Sequence, residues 1–196
     1  MNQHSPNQAF EPHSEAVPMT PEIPANPVRR RGAMRTRQYL LSLGVFTLDQ
    51  LTKGWIERQP AGTYIRVIPH FFQIVQVYNR GAAFGIFQNS SSRLTLDGLI
   101  FVSIMALAVI FSLLWKSPLS RRAGWALALI LGGAAGNLFD RLLRGRVTDF
   151  LLFYIGRHQW PAFNCADSAI VIGAGLLIWD ILFEKKVQEA PDPAQR

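Results

Sequence analysis

The chain has 196 residues, 49% of them hydrophobic, with a formal charge of +7 and a positive mean hydropathy of +0.13. That length suits one domain, and the apolar excess points to a membrane protein rather than a soluble globule. The arginines flank apolar segments instead of forming one amphipathic surface, which argues against nucleic acid as a partner. The lone Cys165 excludes an internal disulfide framework and a cysteine-based zinc cluster. No HExxH occurs, and His4, His13, His70 and His158 lack metal-ligand spacing, so no metal or cofactor is expected.

Residues 1–36 read as a disordered tail, rich in proline (Pro6, Pro12, Pro18, Pro21, Pro24, Pro27) and poor in apolar residues, ending in Arg29, Arg30, Arg31, Arg35 and Arg37. Asp49 and Lys53 interrupt the apolar run that follows, and no A-x-A site closes it. It reads as an uncleaved membrane helix rather than a signal peptide. Four spans are predicted, about Tyr39–Ile56, Arg93–Trp115, Ala123–Leu143 and Phe163–Phe183, within a membrane domain over 37–184; 185–196 form a second tail. Between the first two spans, Tyr64–Ile68 and Phe71–Tyr78 carry the β-branched and aromatic residues of a small sheet. The third span holds Gly132, Gly133, Ala134, Ala135 and Gly136, small residues that let helices approach closely in lipid.

Eleven basic residues fall on one side of this arrangement: the five tail arginines, Lys116, Arg121, Arg122, Lys185, Lys186 and Arg196. Six fall on the other: Arg58, Arg66, Arg80, Arg144, Arg146 and Arg157. Under the positive-inside rule both termini are cytoplasmic and the sheet is on the outer side. That topology gathers Asn137, Asp140 and Arg141 at the end of the third span, Asn164 and Asp167 at the start of the fourth, and Asp149 in the connection between them. Asp49, Lys53, Asn79 and Gly81 reach the same outer face.

Ionisable groups at membrane depth are costly and mark functional sites, and two neighbouring carboxylates sharing a proton can activate water. Each residue also has a plain structural explanation. Asp167 can cap the fourth span, Asp140 can pair with Arg144, and Asp49 can pair with Lys53 at i,i+4. Asn79–Gly81 can be only a turn, Asp97 a dipole-compensating acid and Asp180 an inner-interface residue. Cys165 has no histidine in helical reach and reads as a packed small residue. These residues alone do not rank Asp149 above Asp140 as a partner for Asp167.

Taken in order, DQLTK (Asp49–Lys53), NRGAAFGIF (Asn79–Phe87), GNLFDR (Gly136–Arg141), VTDF (Val147–Phe150) and FNCADSA (Phe163–Ala169) resemble the lipoprotein signal peptidase family, signal peptidase II. The resemblance runs from about residue 38 to 183 and leaves the N-terminal tail outside, with MRTRQYLL from Met34 looking like a family start. It implies an α-helical integral membrane protein with four transmembrane helices and a small periplasmic-side β-sheet, in the bacterial inner membrane. The implied activity is that of an intramembrane aspartic endopeptidase that cuts prolipoproteins before a diacylglyceryl-modified cysteine. On the matching motifs, Asp149 and Asp167 become the catalytic dyad. Asp140 becomes a supporting acid, and Asn137, Arg141, Asn164, Asn79, Gly81, Asp49 and Lys53 become dyad-supporting or substrate-binding residues. The expected partners are these prolipoproteins and membrane lipids around a monomer, with Phe84, Phe87, Phe139 and Phe150 beside the lipidated cysteine. The rival reading is a membrane proton-relay or transporter subunit without peptidase activity. A lipid phosphatase or transferase would want basic and histidine groups converging on phosphate, and His158 is the only histidine near the fourth span.

Overall fold

The computed structural model describes residues 27–81, 93–116 and 119–188. The expected positions Phe84 and Phe87, and residues 1–26 and 189–196 of the two tails, lie outside the described residues. Four helices and four strands follow in the order α1 (Pro27–Glu57), β1 (Tyr64–Ile68), β2 (Phe72–Asn79), α2 (Arg93–Lys116), α3 (Arg121–Arg144), β3 (Val147–Ile155), β4 (His158–Gln159) and α4 (Cys165–Gln188). Helix α1 therefore begins inside the stretch read as a tail, and α4 continues past the boundary set at residue 184.

Among the described residues, three helices are long and apolar enough to cross a membrane: Arg93–Trp115, Arg121–Arg144 and Cys165–Phe183. Helix α1 has the length, but the arginines before Gln38 and the pair Asp49 and Lys53 lower its apolar content. Most of what α1 hides is polar: Gln38, Ser42, Asp49 and Lys53 are buried along with Ile56, while Leu40, Leu43, Leu48 and Leu51 are exposed. A helix that turns its apolar residues outward and its charges inward is suited to an apolar surround.

Helix α3 packs against each of the other three helices. Its glycines set the approach distances. A Cβ at Gly136 would lie 2.5 Å from Asp49 Oδ2, one at Gly132 would run into the Ser42 carbonyl, and one at Gly133 into the Ala166 carbonyl. Gly173 of α4 meets the Ala126 carbonyl in the same way. The small-residue run thus does what its composition suggests: it brings backbones together where Leu or Val would hold them apart. Ser120 caps the start of α3, accepting from the Ala123 N–H at 3.0 Å and donating to Asp180 Oδ2 at 2.6 Å. That bond ties Asp180, buried near the far end of α4, to the start of α3. At the other end Gly145, at φ 65°, closes the helix with a bond from its N–H to the Arg141 carbonyl.

The sheet is larger than the two expected strands. Its order is β1-β2-β3-β4, all antiparallel. The second strand runs one residue later than expected, and the VTDF segment, read as part of a connection, opens β3. Val77 pairs with Asp149 and Asn79 with Val147, after a bulge between Ile74 and Val77. Side chains alternate between sheet faces, so Val77, Asn79, Val147 and Asp149 share one.

Candidate active site

Asp149 enters the site from β3 and Asp167 from the first turn of α4. Both line one cleft of about 460 Å³, together with Asn79, Asn137, Arg141 and the segment Trp160–Phe163. Phe163 is held beside β3 by exchanging backbone bonds with Leu151 at 2.8 and 3.1 Å. This contact carries the chain from the sheet into α4 and sets one aspartate across from the other.

Asparagine amides hold both carboxylates. Asn79 Nδ2 donates to Asp149 Oδ2 at 3.0 Å, and Asn164 Nδ2 donates to Asp149 Oδ1 at 2.7 Å. Asn137 Nδ2 donates to Asp167 Oδ1 at 2.8 Å, and the Asn164 backbone N–H donates to Asp167 Oδ2 at 3.2 Å. The Asp167 N–H in turn donates to Asn164 Oδ1 at 2.9 Å. This reciprocal pair is a capping box, so Asp167 caps its helix and faces the cleft at once. All four carboxylate oxygens have a donor, which fixes their directions.

Asp149 is 2% exposed. Burial pushes its carboxyl up to about 6, the charge of Asp167 adding to the rise while the donors Asn79 and Asn164 act against it. Asn79 is doubly engaged, since its Oδ1 also accepts from the Gly81 N–H at 2.8 Å. Arg141 completes this corner, donating to the Gly81 carbonyl at 3.1 Å and the Asn137 carbonyl at 3.3 Å.

Behind the cleft lies a second layer. Lys53 Nζ contacts Asp49 Oδ2 and Asp140 Oδ2, each at 2.7 Å, and donates to Asn137 Oδ1 at 2.9 Å. Asp49 Oδ1 accepts from the Ala166 N–H at 2.9 Å, next to Asp167. Asp140 pairs with Arg144 as well, and Arg144 reaches Glu57, which accepts from Thr148 at 2.6 Å.

The ten site residues expected from the sequence thus divide in two. Asp149, Asp167, Asn79, Asn137 and Arg141 line the cleft; Asn164 and Gly81 bond to members of that group. Asp49, Lys53 and Asp140 form the layer behind. The i,i+4 pairs Asp49–Lys53 and Asp140–Arg144 both form, and they belong to this larger network. Glu57 and Thr148, and Gln50, whose amide donates to Asp140 Oδ1 at 3.3 Å, were not singled out from the sequence. Glu57 had a signal: Asp49, Lys53 and Glu57 recur every four residues along one stripe of α1. Of the aromatic residues proposed beside a lipidated cysteine, Phe150 is instead 5% exposed, in the core. Phe139 packs edge-on against Phe46 of α1. Neither lines the cleft. Among the described residues no group of His, Cys, Asp and Glu is arranged to hold a metal ion.

A family profile described as Signal peptidase (SPase) II matches residues 41–183. A protein named lipoprotein signal peptidase from Solibacter usitatus is 44% identical over 156 residues, covering 78% of this chain and 94% of the relative. One of the same name from a Sulfurihydrogenibium species is 43% identical over 148 residues, covering 74% and 91%. A bacterial membrane enzyme solved by the in meso method superposes with a TM-score of 0.70 at 31% identity, over 80% of this chain and 94% of that one. With a match across most of its length, three membrane-capable helices and this cleft, the chain belongs to the signal peptidase II family.

Proposed function

We propose that this chain is an aspartic endopeptidase of the bacterial inner membrane that cuts prolipoproteins before a diacylglyceryl-modified cysteine, with Asp149 and Asp167 as its dyad. The observation that carries this reading is that two aspartates from separate elements line one cleft, each gripped by asparagine amides. Asp140 does not compete for the role: it does not line the cleft and is bound to Lys53 and Arg144. Helix α1, with its charges turned inward, acts as the fourth span. Both termini lie on the cytoplasmic side and the cleft opens at the outer face, in keeping with the arginine asymmetry.

The reaction needs one proton on the pair, and burial favours Asp149 as its carrier. The ionised carboxylate takes a proton from water as the oxygen attacks the scissile carbonyl; the protonated one polarises that carbonyl. Collapse of the tetrahedral intermediate breaks the C–N bond and passes a proton to the leaving amine of the cysteine. No covalent intermediate forms. The substrate's acyl chains contribute roughly 0.8 kcal/mol per buried methylene and align the peptide in the membrane plane.

Purified protein should cleave a diacylglyceryl-modified precursor with a chelator present and cut the unmodified precursor far more slowly, measured as kcat/KM in one detergent. Asp149→Asn and Asp167→Asn should each lower cleavage by several orders of magnitude, since an amide accepts no proton. Full activity in either variant would show the dyad to be misplaced.

A further inference from the structure

Lys53 is fully buried, 0% exposed, on the side of Asn137 opposite Asp167. An ammonium group has three N–H bonds and accepts nothing. Three oxygens surround this one: Asp49 Oδ2 and Asp140 Oδ2 at 2.7 Å, and Asn137 Oδ1 at 2.9 Å. The charge is matched by the two carboxylates, so the contact to Asn137 is not needed for neutrality. Its consequence is directional. An asparagine amide has a donor end and an acceptor end of nearly the same shape, and either fits the same slot. Beside a group that only donates, the acceptor end must face Lys53, which turns Nδ2 toward Asp167. The other contact with the same sense, from Asn164 Nδ2 to Asn137 Oδ1, is longer at 3.3 Å, and that Nδ2 already serves Asp149 at 2.7 Å.

Resting on the dyad proposed above, we propose that Lys53 is a positioning residue for the reaction: acting through Asn137, it fixes the amide so that Nδ2 donates to Asp167. The Asp49 and Asp140 carboxylates hold the ammonium in place from α1 and α3. Asp49 also accepts from the Ala166 N–H, so the same unit steadies the backbone that carries Asp167. Lys53 touches neither water nor peptide in this scheme. Its loss should slow the chemical step and leave substrate affinity alone.

Replacing Lys53 alone would strand two buried carboxylates, so the test uses the charge-balanced pair K53M with D49N, which leaves Asp140 to Arg144. Cleavage of a diacylglyceryl precursor and thermal unfolding are measured on the full chain in detergent. The expected result is an unfolding temperature close to that of the parent, KM within about twofold, and kcat lower by about 10- to 100-fold, the scale of a misplaced reacting group. D49N keeps a carbonyl oxygen for the Ala166 N–H, so the effect of the pair passes through Asn137, and in an N137A background it should cost nothing further. An unchanged kcat, or losses that multiply in full with N137A, would overturn the proposal. If the charge-balanced protein does not fold, N137D decides: it keeps an acceptor for Lys53 and removes the donor to Asp167. Folded N137D with parental kcat overturns the proposal; folded N137D with low kcat and parental KM supports it. Failure of the dyad itself is read separately, from an active Asp167→Asn enzyme.

Discussion

Asp149 shows how one residue can be held in a setting that works against its own charge. Its carboxyl is pushed from an ordinary 3.8 up to about 6, first by burial and then by Asp167. The folded chain therefore binds this proton more tightly than the unfolded chain does. The stability it contributes is present below about pH 4 and is lost as pH rises through about 6, an effect on the order of 3 kcal/mol. Asparagine at 149 has no proton to lose. It also sets an NH₂ against one of the two amide donors, Asn79 or Asn164, but that penalty is the same at every pH. The stability difference between Asp149→Asn and the parent should thus shift in the variant's favour between pH 4 and pH 8, by several degrees of unfolding temperature. A difference that does not change with pH would mean that Asp149 titrates as an ordinary carboxylate.

At the scale of elements, the site depends on how closely α3 and α4 approach. Gly133 faces the Ala166 carbonyl and Ile170 with no room for a methyl group. Gly133→Ala should force the start of α4 outward and stretch the bond from Asn137 to Asp167. About 1–3 kcal/mol of stability should go with it, and kcat should fall by roughly 10- to 100-fold. Gly175→Ala, where a Cβ meets nothing within 4 Å, serves as the control and should leave kcat unchanged without lowering the unfolding temperature. Much of this level is legible in the sequence. The helices show as long apolar runs, and the glycines show as a cluster that only close packing explains. Strand β3 does not show. Val147–Ile155 has no clean alternation and carries an aspartate, a residue disfavoured in strands; it becomes a strand because β2, some seventy residues earlier, pairs with it. The capping box is legible, since Asn164 and Asp167 stand three apart before an apolar run. The direction of the Asn137 amide is not, because it depends on a lysine contributed by another helix.

For the molecule as a whole, the interior is where the polarity is. Asp49, Lys53, Asn137, Asp140, Thr148, Asp149 and Asn164 are buried, while leucines, isoleucines and aromatic residues crowd the surface of the helices. Burial of apolar area thus cannot account for how the helices hold together; close backbone approach and internal hydrogen bonds do. In α1, Gln38 packs against Gly124, and the Ser42 hydroxyl donates to the Ala128 carbonyl at 2.8 Å. A chain started at Met34 keeps those contacts, along with Arg35 and Arg37 at the inner end. It should insert and cleave as the full chain does, judged by specific activity at equal membrane abundance. A marked loss would assign residues 2–33 a role in the reaction or in assembly.

The site draws Lys53 from the first helix and Asp167 from the last, and Asn164 bonds to both aspartates. Synthesis proceeds from the N-terminus, so the sheet and α3 can be in place while Asp149 still lacks the amide of Asn164 and its partner carboxylate. A nascent chain that ends before Asp167 lacks one of the two acids. With Asp149 and Asp167 as the proposed dyad, the order of translation therefore leaves the site incomplete until α4 is made.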